Sequence, residues 1–189
     1  MNAVRRLFSP LAWLFAALLL SSCSSVRIED YRGQQPVLDL RDYFNGRIMA
    51  WGQFQDRSGR VIKRFTVDMT GSWQGDEGRL DEHFRYDDGT TETRIWYLTR
   101  HADGRYTGRA ADVVGTAHGR AEGPALEWSY VLALPVDGKV YHVKFHDWMW
   151  LHDANTLVNR ARMSKFGIHL GEVTLFFRKQ AADTKAGGA

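Results

Sequence analysis

Chemistry in this chain has to come from scattered side chains, because the compact catalytic signatures are absent. The sequence holds no Gly-x-Ser-x-Gly elbow, no phosphate-binding loop and no dinucleotide fingerprint. Its one cysteine, Cys23, sits at the end of an apolar leader, so the body of the chain has no thiol nucleophile. His142 and His146 are four apart, a spacing that suits zinc on a helix. Here, however, Tyr141, Val143, Phe145 and Met149 alternate with His142, Lys144, His146 and Trp148, which is strand periodicity. On a strand, residues four apart lie about 13 Å from each other, too far to share a metal. The two histidines are therefore read as solvent-facing or rim residues, and no metal and no cofactor are expected.

The remaining polar candidates are Glu82, Asp147, Asn159, Arg160 and Lys165. Glu82 shares its phase with Leu80 and Phe84 and so points inward. A buried carboxylate beside an arginine could act as a general base, but it is more often an ion pair that pins a barrel interior. Arg160 shares a face with Val158, Arg162 and Ser164, whereas Lys165 shares one with Leu157, Ala161 and Met163. Lys165 is thus expected to point inward, as a reader of a carboxylate or phosphate head group. Aromatics are the other asset: Trp51, Trp73, Trp96, Trp128, Trp148 and Trp150 lie in or beside strand-like runs. Such residues build a core, and in a barrel they also line the lumen, where Trp and Tyr suit an apolar ligand with a polar head. The candidate ligand-binding set is Trp73, Glu82, Trp96, Trp128, Tyr130 and Lys165. Trp148 and Trp150 share the face opposite Met149, and if that face is external it suits a membrane or a partner.

The elements that position these residues follow from period-two alternation. Val61, Lys63, Phe65, Val67, Met69, Gly71 and Trp73 face one way, and the intervening polar residues face the other. The pattern recurs at Leu80–Tyr86, Arg94–Leu98, Leu126–Leu134 and Val173–Phe177. Turn signals such as Asp87-Asp88-Gly89, Ala102-Asp103-Gly104 and Asp137-Gly138 separate the runs. About eight to ten strands at this spacing predict an all-β fold: an antiparallel barrel or strongly curved meander, whose closure would remove exposed edges. A short helix around Leu38 to Phe44 would cap one end. A further strand is expected from Asp112 to Ala121, with Val113, Gly115, Ala117, Gly119 and Ala121 on one face, small either for tight curvature or to leave room for a ligand.

The leader carries the sharpest signal. Arg5 and Arg6 precede an apolar run from Leu11 to Leu20 that is too short to span a bilayer. Leu20-Ser21-Ser22-Cys23 follows, matching the lipobox of bacterial lipoproteins, with cleavage between Ser22 and Cys23 and diacylglycerol and a further acyl chain such as palmitate on Cys23. At roughly 0.8 kcal/mol per buried methylene, several acyl chains make a permanent anchor. Ser24, rather than aspartate, follows the cysteine, which by similarity to lipoprotein sorting in Gram-negative bacteria favours the periplasmic leaflet of the outer membrane. The expected organisation is a signal peptide over 1–22, acylated cysteine and tether over 23–36, barrel over 37–180 and a disordered tail over 181–189. The net charge of +3 includes the two leader arginines. The body is therefore close to neutral, which argues against nucleic acid, where clustered excess charge is required. A hydrophobic fraction of 44% is that of a packed domain.

Asp147-Trp148-Met149-Trp150-Leu151, Leu157-Val158-Asn159-Arg160, Met163-Ser164-Lys165-Phe166-Gly167 and Gly171-Glu172-Val173, with the earlier Tyr43-Phe44-Asn45-Gly46 and Trp51-Gly52, occur in order along the chain. In these motifs the sequence resembles a proteobacterial lipoprotein family catalogued as domain of unknown function 3833, over roughly Leu38 to Lys179. The resemblance implies a calycin-like or lipocalin-like barrel and brings no activity or catalytic residue with it. Three readings stay open. The first is a lipid-anchored barrel that binds a lipid-like or other apolar small molecule, and it predicts an open apolar interior. The second is a structural or interaction lipoprotein with a solidly packed barrel and an unspecified protein partner. The third is an isomerase- or hydrolase-like barrel enzyme, which needs Glu82 or Asp147 near Arg160 or Lys165 in a pocket.

Overall fold

Burial follows the alternation in the sequence. In the strand Val61–Gln74, Phe65, Val67, Met69 and Gly71 are buried, while Thr66, Asp68 and Thr70 between them are not. The computed structural model describes residues 25–181; the expected signal peptide, Ser22, Cys23 and residues 182–189 lie outside the described residues. The strands are β1 (Gly46–Asp56), β2 (Val61–Gln74), β3 (Glu77–Tyr86), β4 (Thr91–Arg100), β5 (Arg105–Arg109), β6 (Ala117–Glu122), β7 (Ala125–Val136), β8 (Lys139–Leu151), β9 (Thr156–Lys165) and β10 (Ile168–Lys179). Each pairs antiparallel with its sequence neighbours, and β1 pairs with β10, from Ile48 opposite Lys179 to Asp56 opposite Gly171, so the meander closes into a barrel. The all-β antiparallel barrel expected from sequence is the fold observed.

The hairpin connections divide the barrel into two unlike ends. The β1–β2, β3–β4, β5–β6, β7–β8 and β9–β10 connections gather at one end, termed here the mouth. The β7–β8 turn has Asp137 and Gly138 at φ 49° and 75°. Positive φ at both central residues gives the turn whose twist matches the flanking strands. At the opposite end the chain enters through a one-turn helix, α1 (Leu40–Tyr43), where the short cap was expected. Asp39 caps it by accepting from the Arg41 amide at 2.8 Å.

Leu38, Leu40, Tyr43 and Phe44 are all buried, making α1 and its flanks a plug. Their polar groups are bonded to the rim: Leu38 N–H to the Gly123 carbonyl at 2.8 Å, Tyr43 Oη to the Asn155 carbonyl at 3.0 Å, and Trp73 Nε1 to the Phe44 carbonyl at 3.2 Å. Gly71 permits this closeness, because a Cβ there would run into the Phe44 carbonyl.

Two expected elements differ from those observed. The strand predicted from Asp112 starts only at Ala117; residues 110–116 form a loop that touches the barrel through a bridge between Val113 and Leu132. The small residues that follow make room for a side chain. Gly119 and Gly108 both lie against the Trp128 indole, which occupies the space their Cβ atoms would take. The polar stretch before Pro36, read as a tether, is packed on the barrel from Ile28 onward. A 3-10 turn (Ile28–Tyr31) buries Ile28, Glu29 meets Arg120 at 2.6 Å, and Tyr31 lies over Trp148 at 5.9 Å.

Candidate ligand-binding site

Ten strands enclose a wider lumen than the eight that side chains just fill. The lumen here holds a cavity of about 390 Å³. Its wall above the plug is apolar, including Met69, Leu80, Leu98, Leu132, Phe145 and Val173. It reaches the surface at the mouth, where exposed Glu92 and Pro135 belong to its lining. Strand phase explains the lining: Glu82 alternates with the outward Asp81 and His83 in β3, and Asp147 and Met149 with the outward His146, Trp148 and Trp150 in β8.

An aromatic cluster stands on one side. Trp96 meets Trp128 edge-on at 5.9 Å and Tyr130 edge-on at 5.5 Å, and Tyr130 stacks on Phe145 at 5.1 Å. Among these apolar walls lie two buried carboxyl groups. Glu82, 8% exposed, is opposite Arg94 in the β3–β4 register, and its Oε2 is 3.7 Å from the guanidinium. Asp147, 6% exposed, is opposite Trp128 in the β7–β8 register.

Arg94 is engaged elsewhere as well, with Asp112 at 2.8 Å and Glu92 at 3.9 Å. Burial pushes Glu82 up to about 7; Arg94 works against this, and Asp112 and Glu92 add to it. Burial likewise raises Asp147 to about 7 against the hydrogen bond from Asn159 and the more distant charge of Arg94. Burial disfavours the charge of Arg94 too, but Glu82, Tyr130 and Asp112 outweigh it and hold the guanidinium protonated. The Tyr130 hydroxyl is driven well above its ordinary value by burial and by Asp147.

Three oxygens in this cluster are buried without a hydrogen-bond partner among the described residues: Glu82 Oε2, Asp112 Oδ1 and Asp147 Oδ1. An unpaired buried carboxylate oxygen costs free energy unless the group is protonated or a ligand supplies a donor.

Of the residues singled out from sequence, Glu82, Trp96, Trp128 and Tyr130 line the cavity. Trp73 does not: its inward phase carries it to the plug, where it packs on Gly78 and bonds Phe44. Lys165 does not line it either. Near the end of β9 its ammonium lies 4.4 Å from the Tyr141 ring centre, at the mouth rim. Arg160 is outside the barrel, paired with Glu172 at 2.7 Å, so the expected grouping of Glu82 or Asp147 with Arg160 or Lys165 does not form. Arg94 and Asp112 take that place. Arg94 was findable, because it alternates in phase with Trp96 and Leu98; Asp112 sits in a loop and has no periodicity to mark it. His142 is exposed, and His146 meets Glu127 at 2.6 Å on the outer surface. Trp148 and Trp150 stack at 6.1 Å outside the barrel, and Trp150 Nε1 donates to the Tyr31 hydroxyl at 2.9 Å.

A family described as protein of unknown function DUF3833 matches residues 17–179. The chain belongs to that family. No curated protein matches it in sequence. Among solved structures it is similar to a protein of unknown function of the DUF3598 family from Nostoc punctiforme, with a TM-score of 0.54 at 13% identity, covering 78% of this chain and 51% of that one. The chain thus spans about half the length of that structure. It is also similar to the S-type phycobiliprotein lyase CPES from Guillardia theta, with a TM-score of 0.57 at 7% identity, covering 83% of this chain and all of the lyase. At these identities the likeness is one of fold: a closed antiparallel barrel.

Proposed function

We propose that this family member is a lipid-anchored barrel at the periplasmic face of the outer membrane, where it holds a lipid-like or other apolar small molecule. The cavity of about 390 Å³ carries the reading, being apolar in most of its wall, closed by the plug at one end and open at the mouth. A solidly packed barrel would have no such space. The fold it shares with a phycobiliprotein lyase supports small-molecule binding as a use of this architecture. The anchor rests on Leu20-Ser21-Ser22-Cys23 and the leader before it.

Native mass spectrometry of the full chain, with solvent extraction of what it carries, tests both parts. The expected result is acyl mass on Cys23 and a separable apolar ligand. That ligand should be lost on Ala161→Phe, which fills the cavity from a small wall position. Wild-type chain that stays empty after exposure to total membrane lipid would refute the binding role, and unmodified Cys23 in a chain produced by a Gram-negative host would refute the anchor.

A further inference from the structure

The polar groups in the cavity narrow the chemistry of the ligand. Its lining carries four carboxyl groups, Glu82, Glu92, Asp112 and Asp147, and one cation, Arg94. That guanidinium is already engaged by Asp112, Glu82 and Glu92. A fatty-acid carboxylate entering here would find no free cation among the lining residues and would face a field of its own sign. Glu82 Oε2 and Asp147 Oδ1, both on buried side chains, lack only a donor. Trp96, Trp128, Tyr130 and Phe145 stand in the same wall and offer the ring faces that attract a desolvated cation. Buried carboxylates beside an aromatic cluster are the complement of an ammonium group on an apolar body.

We infer that the cavity selects an amphiphile with a cationic amine head, which donates to Glu82 or Asp147, over a neutral or anionic one of the same length. This rests on the ligand-binding reading above and specifies its substrate class. The test is calorimetric titration of the full chain at pH 7.5 with octylamine, octanol and octanoate, which share one apolar body. Octylamine is expected to bind about 10-fold or more tighter than octanol, the effect of one charge-assisted hydrogen bond, with octanoate weakest. In Glu82→Gln/Asp147→Asn, which keeps shape and removes charge, the amine preference should vanish while octanol still binds. Octanoate binding as tightly as octylamine, or an amine preference that survives in the double variant, overturns the inference and leaves the barrel a binder of apolar ligands. Failure of all three probes removes the binding reading itself.

A separate observation concerns the mouth rim. Phe166 is 92% exposed at the β9–β10 turn and takes φ 51°, a conformation bulky side chains rarely adopt. Ile168 beside it, Val140 and Tyr141 on the adjacent β7–β8 hairpin, and Ile62 on the β1–β2 hairpin are exposed at the same end. Lys139, Lys144 and Lys165 flank them, with Asp137 the one carboxylate at the β7–β8 and β9–β10 turns. Exposed apolar tips interleaved with lysines match an anionic bilayer surface, with rings and branched chains entering between head groups that the ammonium groups neutralise.

The geometry points to the mouth, rather than the plugged end, as the face laid on an anionic lipid surface. The test places a nitrobenzoxadiazole-labelled cysteine at Phe166→Cys in the full chain on vesicles of phosphatidylglycerol and phosphatidylcholine, with Gln74→Cys, at the end of β2 beside the plug, as reference. A blue shift at 166 absent at 74, weakened in Lys139→Glu/Lys165→Glu, is expected. Equal emission at the two positions overturns it.

Discussion

Replacing Asp147 by asparagine tests whether the interior holds a carboxyl group near neutrality. Its folded value of about 7 stands above the ordinary 3.8, a gap of about three pH units. At 1.36 kcal/mol per unit this is on the order of 4 kcal/mol of linked stability. Because the folded state holds the proton more tightly, that stability is fully present below the unfolded value. It is lost as pH rises toward 7, where the folded carboxyl ionises too, and the loss is constant above that. The amide of the Asp147→Asn chain cannot ionise, and its carbonyl still accepts from Asn159, so the variant lacks this slope. Urea denaturation of both chains from pH 4 to 8.5 should show similar stabilities at the acid end, with the Asp147→Asn chain more stable by several kcal/mol at pH 8. Glu82 contributes a parallel slope to both chains and cancels in the difference to first order. Parallel profiles, or a variant less stable than wild type at pH 8, would refute the argument.

Arg94→Met should destabilise the barrel by about 3–5 kcal/mol in urea denaturation, because Glu82, Asp112 and Glu92 lose their shared counter-charge. Lowering the pH from 8 to 5 should recover much of that loss, and an equal deficit at both values would count against the ion-pair account. Gly71→Ala should cost about 1–3 kcal/mol by overpacking against the Phe44 carbonyl, with faster hydrogen exchange in residues 38–44 as the local signature. Tyr31→Ala should uncover Trp148 and Trp150 and shift tryptophan emission to the red, with a cost of about 1–2 kcal/mol from the lost ring contact and hydrogen bond. Unchanged emission would show that the N-terminal segment does not cover that face in solution.

The fold was legible because strands such as β2 and β3 bury alternate residues, Phe65, Val67 and Met69 in β2 and Leu80, Glu82 and Phe84 in β3. The hairpin turns were marked by Asp-Gly and related pairs. What escaped is what periodicity cannot report. The loop at 110–116 and the docking of Ile28 and Tyr31 depend on long-range surfaces, and the place of a residue along the barrel axis depends on register. Trp73 and Lys165 each sit near an end of a strand, one at the plug and the other at the rim, so the phase that marked them as inward brings neither to the cavity. Of the site, Glu82, Trp96, Trp128 and Tyr130 were visible through their faces, whereas the role of Arg94 required knowing that β3 and β4 place it opposite Glu82.

The β1–β10 seam has a consequence for how the molecule is made. Nine of the ten strand pairs join sequence neighbours and can form as each hairpin is completed, but the ring closes only when the final strand reaches the first. Loop closure over nearly the whole chain comes late and slowly, as for other topologies dominated by distant pairings. Until then β1 and β10 present bare edges, and a chain cut short before Ile168 would be an open sheet with two sticky margins, β1 and β9, rather than a slightly smaller barrel.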